Sequence, residues 1–341
     1  MNCTFSKGPL NKITDVSGIS VGHCTIDTPD HKTGVTVLLP CPQNPFFHKL
    51  PAASFVLNGF GKTAGLVQID ELGYLETPIA LTNTLNVGIV WDAIAEHMIN
   101  LCQKDGHLLR SVNPVVCECN DATLNRIQQR AVLDEHVYAA INSACADFTE
   151  GAVGAGTGMI CHDLKGGIGS ASRRFSVDGK EYTFGALVLT NHGCLADLTI
   201  SGKPVGKQLS EKLKKHEPDK GSCIIIAATD LPLDSRQLGR VAKRLSVGLA
   251  RLGSFIGHGS GEVFIAFSTA NAWDPREKTC TRQGILFSED QMDIPFRAAA
   301  ECAEEAVLSS MLHAHTITGW KGDVIYALKD VWDETDHFFD A

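Results

Sequence analysis

Asp219-Lys220-Gly221-Ser222 stands where a polar, lysine-rich stretch meets the very apolar run Cys223-Ile224-Ile225-Ile226-Ala227-Ala228. Taken alone, a serine at the start of a strand usually only ends a loop. A glycine directly before it admits another chemistry. Glycine lets the peptide carbonyl take a strained geometry that the serine hydroxyl can attack. An N→O acyl shift followed by hydrolysis would cut the Gly221–Ser222 bond and leave Ser222 as a new N-terminus. Its α-amine, titrating near ~8, could then act as base for its own hydroxyl. That is the logic of an N-terminal nucleophile hydrolase.

A second constellation is Gly257-His258-Gly259-Ser260-Gly261-Glu262. A glycine-rich turn entering a strand is commonly only a turn. As a phosphate loop it is poor, since a strand follows instead of a helix and the turn has no lysine. As an active-site turn it would add a second hydroxyl and a carboxylate. His192, His258, Asp230 and Ser260 invite a Ser-His-Asp triad. However, thirteen histidines make chance placement easy, and no Gly-x-Ser-x-Gly elbow precedes a helix. Cys117-x-Cys119 and Cys161-His162 are the nearest approaches to a zinc motif. A structural zinc site usually shows two such pairs, and Cys161-His162 has no second half; no metal is expected.

The elements that must position these residues follow from periodicity. Val35–Leu39, Ala53–Leu57, Tyr182–Thr190, Cys223–Ala228 and Glu262–Ser268 read as strands. Val112–Val116 is extended, and Pro114 makes it an edge or a strand end. Val90–Lys104 reads as a helix, and residues 123–148 as a long helix that is polar on one side. Leu238, Val241, Leu245, Leu249 and Leu252 form one apolar stripe behind helix-start chemistry at Pro232-Leu233-Asp234-Ser235. Residues 291–314 form a final long helix, and Trp320–Leu328 a strand. Residues 201–221, with six lysines, read as an exposed loop. Strands and helices in mixed order suggest layered α+β packing, with the topology left open.

In ordered succession the chain resembles the DmpA-type aminopeptidase family, peptidase family S58. The matching stretches are ITDVSGISVGH (13–23), TGVTV (33–37), NGFGK (58–62), LETPIALTNTLNVG (75–88), ECND (118–121), GAVGAGTGM (151–159) and KGGIGSASR (165–173). They continue with Asn191, Gly221-Ser222, ATD (228–230) and GSGEVFIAFSTAN (259–271). Any one is weak; the ordered set is specific and spans almost the whole chain.

The resemblance implies a four-layer α/β/β/α sandwich. It implies one domain over 1–341, cut into fragments 1–221 and 222–341. It implies Ser222 as nucleophile and cleavage point, and Ser260 and Glu262 as the pair orienting that nucleophile and its amine. Asn191 would be the oxyanion donor and Glu118 the carboxylate holding the substrate's free amine. The activity implied is hydrolysis of small peptides, amino-acid amides or esters through an acyl-enzyme, with no cofactor and with assembly as a homotetramer. The sequence departs from the pattern at Asn120 and His192, where aromatics are commoner, at Ala122, where glycine is frequent, and at Cys223, where an aliphatic residue is usual. These changes bear on specificity more than on reaction class. An acyltransferase of the ornithine acetyltransferase type shares the fold and the self-cleavage but resembles a different motif set and usually cuts before threonine. An unprocessed, non-catalytic binding protein is the third reading, and the filled catalytic positions argue against it.

The bulk numbers agree with a globular enzyme. The 341 residues are 44% hydrophobic and 20% charged, with a formal net charge of −9 and no concentration of Lys and Arg outside 201–221. A nucleic-acid partner needs a basic face and is disfavoured. No stretch reaches the length of a membrane span, and the first residues have no apolar leader segment. A cytoplasmic protein with twelve reduced cysteines is expected.

Overall fold

The period-two alternation of the strands sorts their side chains into separate cores. The computed structural model describes residues 3–213 and 221–332. One sheet runs, edge to edge, β1 (Ser20–Asp27), β2 (Lys32–Leu39), β5 (Ile79–Asn83) and β6 (Val115–Cys119). The other runs β4 (Tyr74–Leu75), β3 (Leu50–Gly59), β12 (Gly261–Ser268), β11 (Ser222–Thr229), β10 (Lys180–Asn191) and β9 (Ile168–Val177). Neighbours are antiparallel except β5–β6 and β11–β12. Two short hairpins join β7 (Ile160–Cys161) to β8 (Leu164–Lys165) and β13 (Ile317–Thr318) to β14 (Val324–Ile325).

In β11 every residue is buried, and alternate side chains face opposite layers. Ile224, Ile226 and Ala228, with Leu187, Leu189 and Ile265, meet Val21, Leu38, Leu81 and Cys117 of the other sheet. Cys223, Ile225 and Ala227 point the other way, onto α5 (Ser235–Arg251) and α6 (Asp293–Leu312) through Val241, Leu245, Ala299 and Ala303. The outer face of the first sheet, with Val35, Val37, Ala80 and Val116, is covered by α2 (Val87–Lys104) and α3 (Asp134–Asn142). The layers are therefore α/β/β/α, as the resemblance implies. Each fully buried aliphatic side chain contributes about 1.5–3 kcal/mol, which favours this register over a one-residue slip that would turn the alternation inside out. At the start of α5, Asp234 accepts from the Gln237 N–H at 2.7 Å and Gln237 Oε1 from the Asp234 N–H at 3.2 Å. This reciprocal cap starts the helix at the expected place.

Three expectations are corrected. Residues 123–148 are not one helix. A 3-10 turn at Ile127–Gln129 ends at Arg130, whose φ of +49° no helix accepts, and α3 starts only at Asp134. Leu124 is drawn aside into a small cluster with Ile317 and Ile325. Within 201–221, Val205–Leu213 forms helix α4, because Val205, Leu209 and Leu213 recur every four residues and pack on the core. Residues 214–220, including Asp219 and Lys220, lie outside the described residues. Trp320–Leu328 holds only the two-residue β14 before α7 (Leu328–Val331). The remaining helix, α1 (Leu66–Leu72), follows β3. No helix among the described residues is long and apolar enough to cross a membrane. All twelve cysteines are thiols, seven of them buried.

Candidate active site

Ser222 opens β11, between β10 and β12 at one end of the larger sheet. Asn191, the last residue of β10, lies opposite it, and Gly261, the first of β12, lies level with it on the other side. The Ser222 hydroxyl donates to the Gly221 carbonyl oxygen at 2.7 Å, and the Gly261 N–H donates to the same oxygen at 3.0 Å. The two flanking glycines are there for space. A Cβ on Gly221 would collide with the Asn191 carbonyl oxygen and lie 2.8 Å from its carbon. One on Gly261 would lie 2.5 Å from the Phe60 oxygen and 3.3 Å from Ser222 Oγ.

Asn191 is held at both ends of its amide. Ile160 N–H donates to Oδ1 at 2.9 Å, and Nδ2 donates to the Asn120 carbonyl at 3.0 Å. A backbone N–H can only donate and a carbonyl only accept, so these partners fix which amide atom is nitrogen. One hydrogen of Nδ2 remains for another acceptor. Glu118 sits at the penultimate position of β6 and is 2% exposed. Its Oε1 accepts from the Lys62 N–H at 2.9 Å, and its Oε2 accepts from the Thr84 hydroxyl. Among the described residues no cation lies within ion-pair distance of it. Ser222, Gly221, Asn191 and Glu118 all line one cavity of about 570 Å³, together with Phe60, Asn120 and His192.

Ser260 and Glu262 do not line that cavity. Both are fully buried on either side of Gly261, and the Ser260 hydroxyl donates to Glu262 Oε1. They thus stand at the start of β12, beside the strand that Ser222 opens. Asn58 of β3 secures this turn by donating through Nδ2 to the carbonyls of Gly257 (3.1 Å), His258 (3.2 Å) and Ser260. Cys119 closes the floor, its thiol donating to the Ser222 carbonyl at 3.5 Å. Burial pushes the Cys119 and Cys223 thiols well above their ordinary range, so neither is a rival nucleophile.

The Ser-His-Asp triad is not assembled. Asp230 lies just past the far end of β11, about 25 Å along the strand from Ser222 at ~3.3 Å per residue, and accepts there from the Thr183 N–H at 2.7 Å. Burial, helped by the neighbouring His162, lowers His192 to about 3, so it is a neutral wall of the cavity. Ile160, Lys62, Thr84 and Asn58 are the positioning residues that residue types did not single out. Ile160 and Lys62 act through backbone N–H groups, which no residue type announces.

The family model for peptidase family S58 matches residues 11–325. The chain is 35% identical over 344 residues to beta-peptidyl aminopeptidase BapA of Sphingosinicella xenopeptidilytica, covering 94% of this chain and 85% of that protein. The PH0078 protein of Pyrococcus horikoshii superposes with a TM-score of 0.90 at 45% identity, over 99% of this chain and 95% of that one. The L-aminopeptidase D-Ala-esterase/amidase of Ochrobactrum anthropi, described as a prototype for the serine aminopeptidases and a variant of the Ntn hydrolase fold, superposes with a TM-score of 0.90 at 33% identity, over 100% and 97%.

Proposed function

The chain belongs to peptidase family S58, and from that membership together with the site geometry we propose that it is a self-processing aminopeptidase whose nucleophile is Ser222. The observation that carries this reading is the Ser222 hydroxyl seated at 2.7 Å on the carbonyl of the preceding residue.

In self-cleavage Ser222 Oγ adds to the Gly221 carbonyl carbon. Charge gathers on the carbonyl oxygen, where the Gly261 N–H already donates; such preorganised donors are the largest single contribution to acyl-transfer catalysis. The C–N bond breaks as the nitrogen takes the proton, leaving an ester. Water hydrolyses the ester to a Gly221 carboxylate and a free Ser222 amine. The mature enzyme is one domain made of fragments 1–221 and 222–341.

In turnover the Ser222 amine accepts the proton of its own hydroxyl. Oγ attacks the substrate's first carbonyl, and the remaining Asn191 Nδ2 hydrogen holds the oxyanion. The amine or alcohol departs with the proton, and water then releases the acyl group. Ser260 and Glu262 orient the Ser222 amine from the start of β12. The Glu118 carboxylate, already accepting from Lys62 and Thr84 and with no cation within ion-pair distance among the described residues, pairs with the substrate's ammonium and selects unblocked N-termini. Small peptides and amino-acid amides or esters suit a cavity of this size. A cytoplasmic homotetramer completes the proposal, in keeping with the family resemblance and the free thiols. The acyltransferase alternative is not favoured by the two relatives whose names state an activity, both aminopeptidases.

The test is intact-mass analysis of the wild type beside Ser222→Ala. Wild type should resolve into fragments 1–221 and 222–341 while the variant stays whole. A panel of p-nitroanilides with L-, D- and β-amino acyl groups then defines the acyl preference. A wild-type chain that stays whole and inert through long incubation would bring the non-catalytic reading forward.

A further inference from the structure

Cys161-His162 has no second half in the sequence, but the fold supplies one. Cys161 ends β7, His162 begins the turn to β8, and His192 follows the last residue of β10. The ligand atoms of these three buried residues lie within 4.8 Å of one another. The three are linked through their backbones, because the His162 N–H donates to the His192 carbonyl at 2.7 Å. Their rings meet edge-on with centroids 5.6 Å apart.

The geometry points to a zinc-binding site formed by Cys161, His162 and His192. Two further observations carry it. His162 Nδ1 lies 2.9 Å from the Cys194 carbonyl. A carbonyl only accepts, so Nδ1 bears the hydrogen and Nε2 is the basic nitrogen. Metal-binding histidines are characteristically held this way, with the outer N–H on a carbonyl or carboxylate. Gly193 permits the arrangement, since a Cβ there would lie 2.5 Å from the His162 ring. The second observation is His192 itself. It is 2% exposed, and neither ring nitrogen has a hydrogen-bond partner among the described residues. A neutral imidazole must bury one donor and one acceptor there, each costing about 1–3 kcal/mol when unmet. A metal ion on the acceptor nitrogen satisfies one of them.

One thiolate and two imidazoles suit zinc and exclude calcium or magnesium, which take oxygen ligands. Tetrahedral zinc would hold these atoms about 3.3–3.6 Å apart, from bonds of about 2.0–2.3 Å, so the site has to close by no more than about 1.5 Å. Binding releases the Cys161 proton to solvent. His192 lines the active-site cavity, which leaves the fourth position to water or a ligand from that side. Asn191 lies between the two halves of the site. It precedes His192 in the chain, and its Oδ1 is held by Ile160, the residue before Cys161. Closure on zinc therefore shifts the oxyanion donor, and occupation inhibits turnover.

The probe is Co²⁺, which reports both thiolate ligation and tetrahedral geometry by absorption, followed by competition with Zn²⁺. The full-length protein, reduced and stripped of metal by dialysis against a chelator, is titrated beside Cys161→Ala and His192→Phe. One equivalent of Co²⁺ should bind with a thiolate-to-cobalt charge-transfer band, and Zn²⁺ should displace it. His192→Phe should weaken binding about a hundredfold, since loss of a mere outer partner already costs 10–100-fold. Cys161→Ala should abolish the band. No binding by the wild type, binding without the band, or unchanged affinity in whichever variant folds would each overturn the site. The readout needs no peptidase activity, so it stands or falls apart from the reading of Ser222.

Discussion

Gly261 donates its backbone N–H to the carbonyl oxygen of Gly221 at 3.0 Å, from the strand beside the one that Ser222 begins. In the proposed self-cleavage the donor is therefore in place where charge would develop as Ser222 Oγ adds, at no cost in reorganisation. Its aim depends on how closely Gly221 packs on Asn191. In Gly221→Ala the new Cβ would collide with the Asn191 backbone, which must push the carbonyl off the Gly261 N–H. Self-cleavage should slow by at least about tenfold, one lost directed hydrogen bond of ~1.4 kcal/mol or more. Intact masses over time measure it; fragments appearing at the wild-type rate would show that the contact does not set the geometry.

Asn191 carries the next expectation. Both its amide atoms are anchored, by Ile160 and by Asn120, so the free Nδ2 hydrogen points where the backbone sends it. Asn191→Ala removes that donor. On the processed fraction of the variant, kcat should fall about 10²–10³-fold, the usual effect of losing one oxyanion donor, with KM nearly unchanged. A loss confined to KM would assign Asn191 to ground-state binding instead.

Much of this was legible because it rests on side-chain chemistry and on periodicity. Ser222 after Gly221, Asn191, Glu118 and the Ser260–Glu262 pair stand in matching motifs, and β11 announces itself as an unbroken apolar run. What stayed hidden depends on backbone groups and on distance along the chain. The N–H groups of Ile160, Lys62 and Gly261 have no signature in residue type. Arg130 has nothing in its type to foretell a left-handed conformation, so the break in 123–148 passed unseen. Val205, Leu209 and Leu213 were spaced for a helix, but the surrounding lysines masked the stripe. Cys161-His162 and His192 look unrelated until β10 and the β7–β8 hairpin bring them together.

His23 makes stability depend on pH. Its Nδ1 lies 2.9 Å from the Thr36 hydroxyl oxygen. Burial, with the Lys12 charge adding to it and a backbone hydrogen bond at Thr149 opposing, lowers its pKa from 6.5 to about 4. A depressed folded-state pKa contributes stability that is present above pH 6.5 and lost as pH falls through about 4. Between those values the unfolded chain binds one more proton at this residue. The slope is about 1.4 kcal/mol per pH unit, up to about 3 kcal/mol over the window. His23→Gln should flatten the fall of the urea midpoint between pH 6.5 and 4.5 by that one-proton slope. Parallel curves for wild type and variant would place the acid sensitivity elsewhere.

On the proposed reading, Glu118 is the carboxylate that selects substrates with a free amine. Its carboxylate takes one hydrogen bond from the Lys62 N–H and one from the Thr84 hydroxyl, which hold it in place without neutralising it. Glu118→Gln keeps the shape: the amide oxygen still accepts from Lys62, and the Thr84 oxygen can accept from the new NH₂. Only the charge is lost. A charge-assisted hydrogen bond is worth about 1.5–3 kcal/mol, so kcat/KM for a free-amine p-nitroanilide should fall about 10–150-fold. The rate on the N-acetylated counterpart, already poor, should stay where it is or rise. The ratio of the two is the decisive quantity, because a general loss of folding or of nucleophile processing lowers both rates together. If both fall in step, Glu118 supports the cavity wall and the ammonium is recognised by another group.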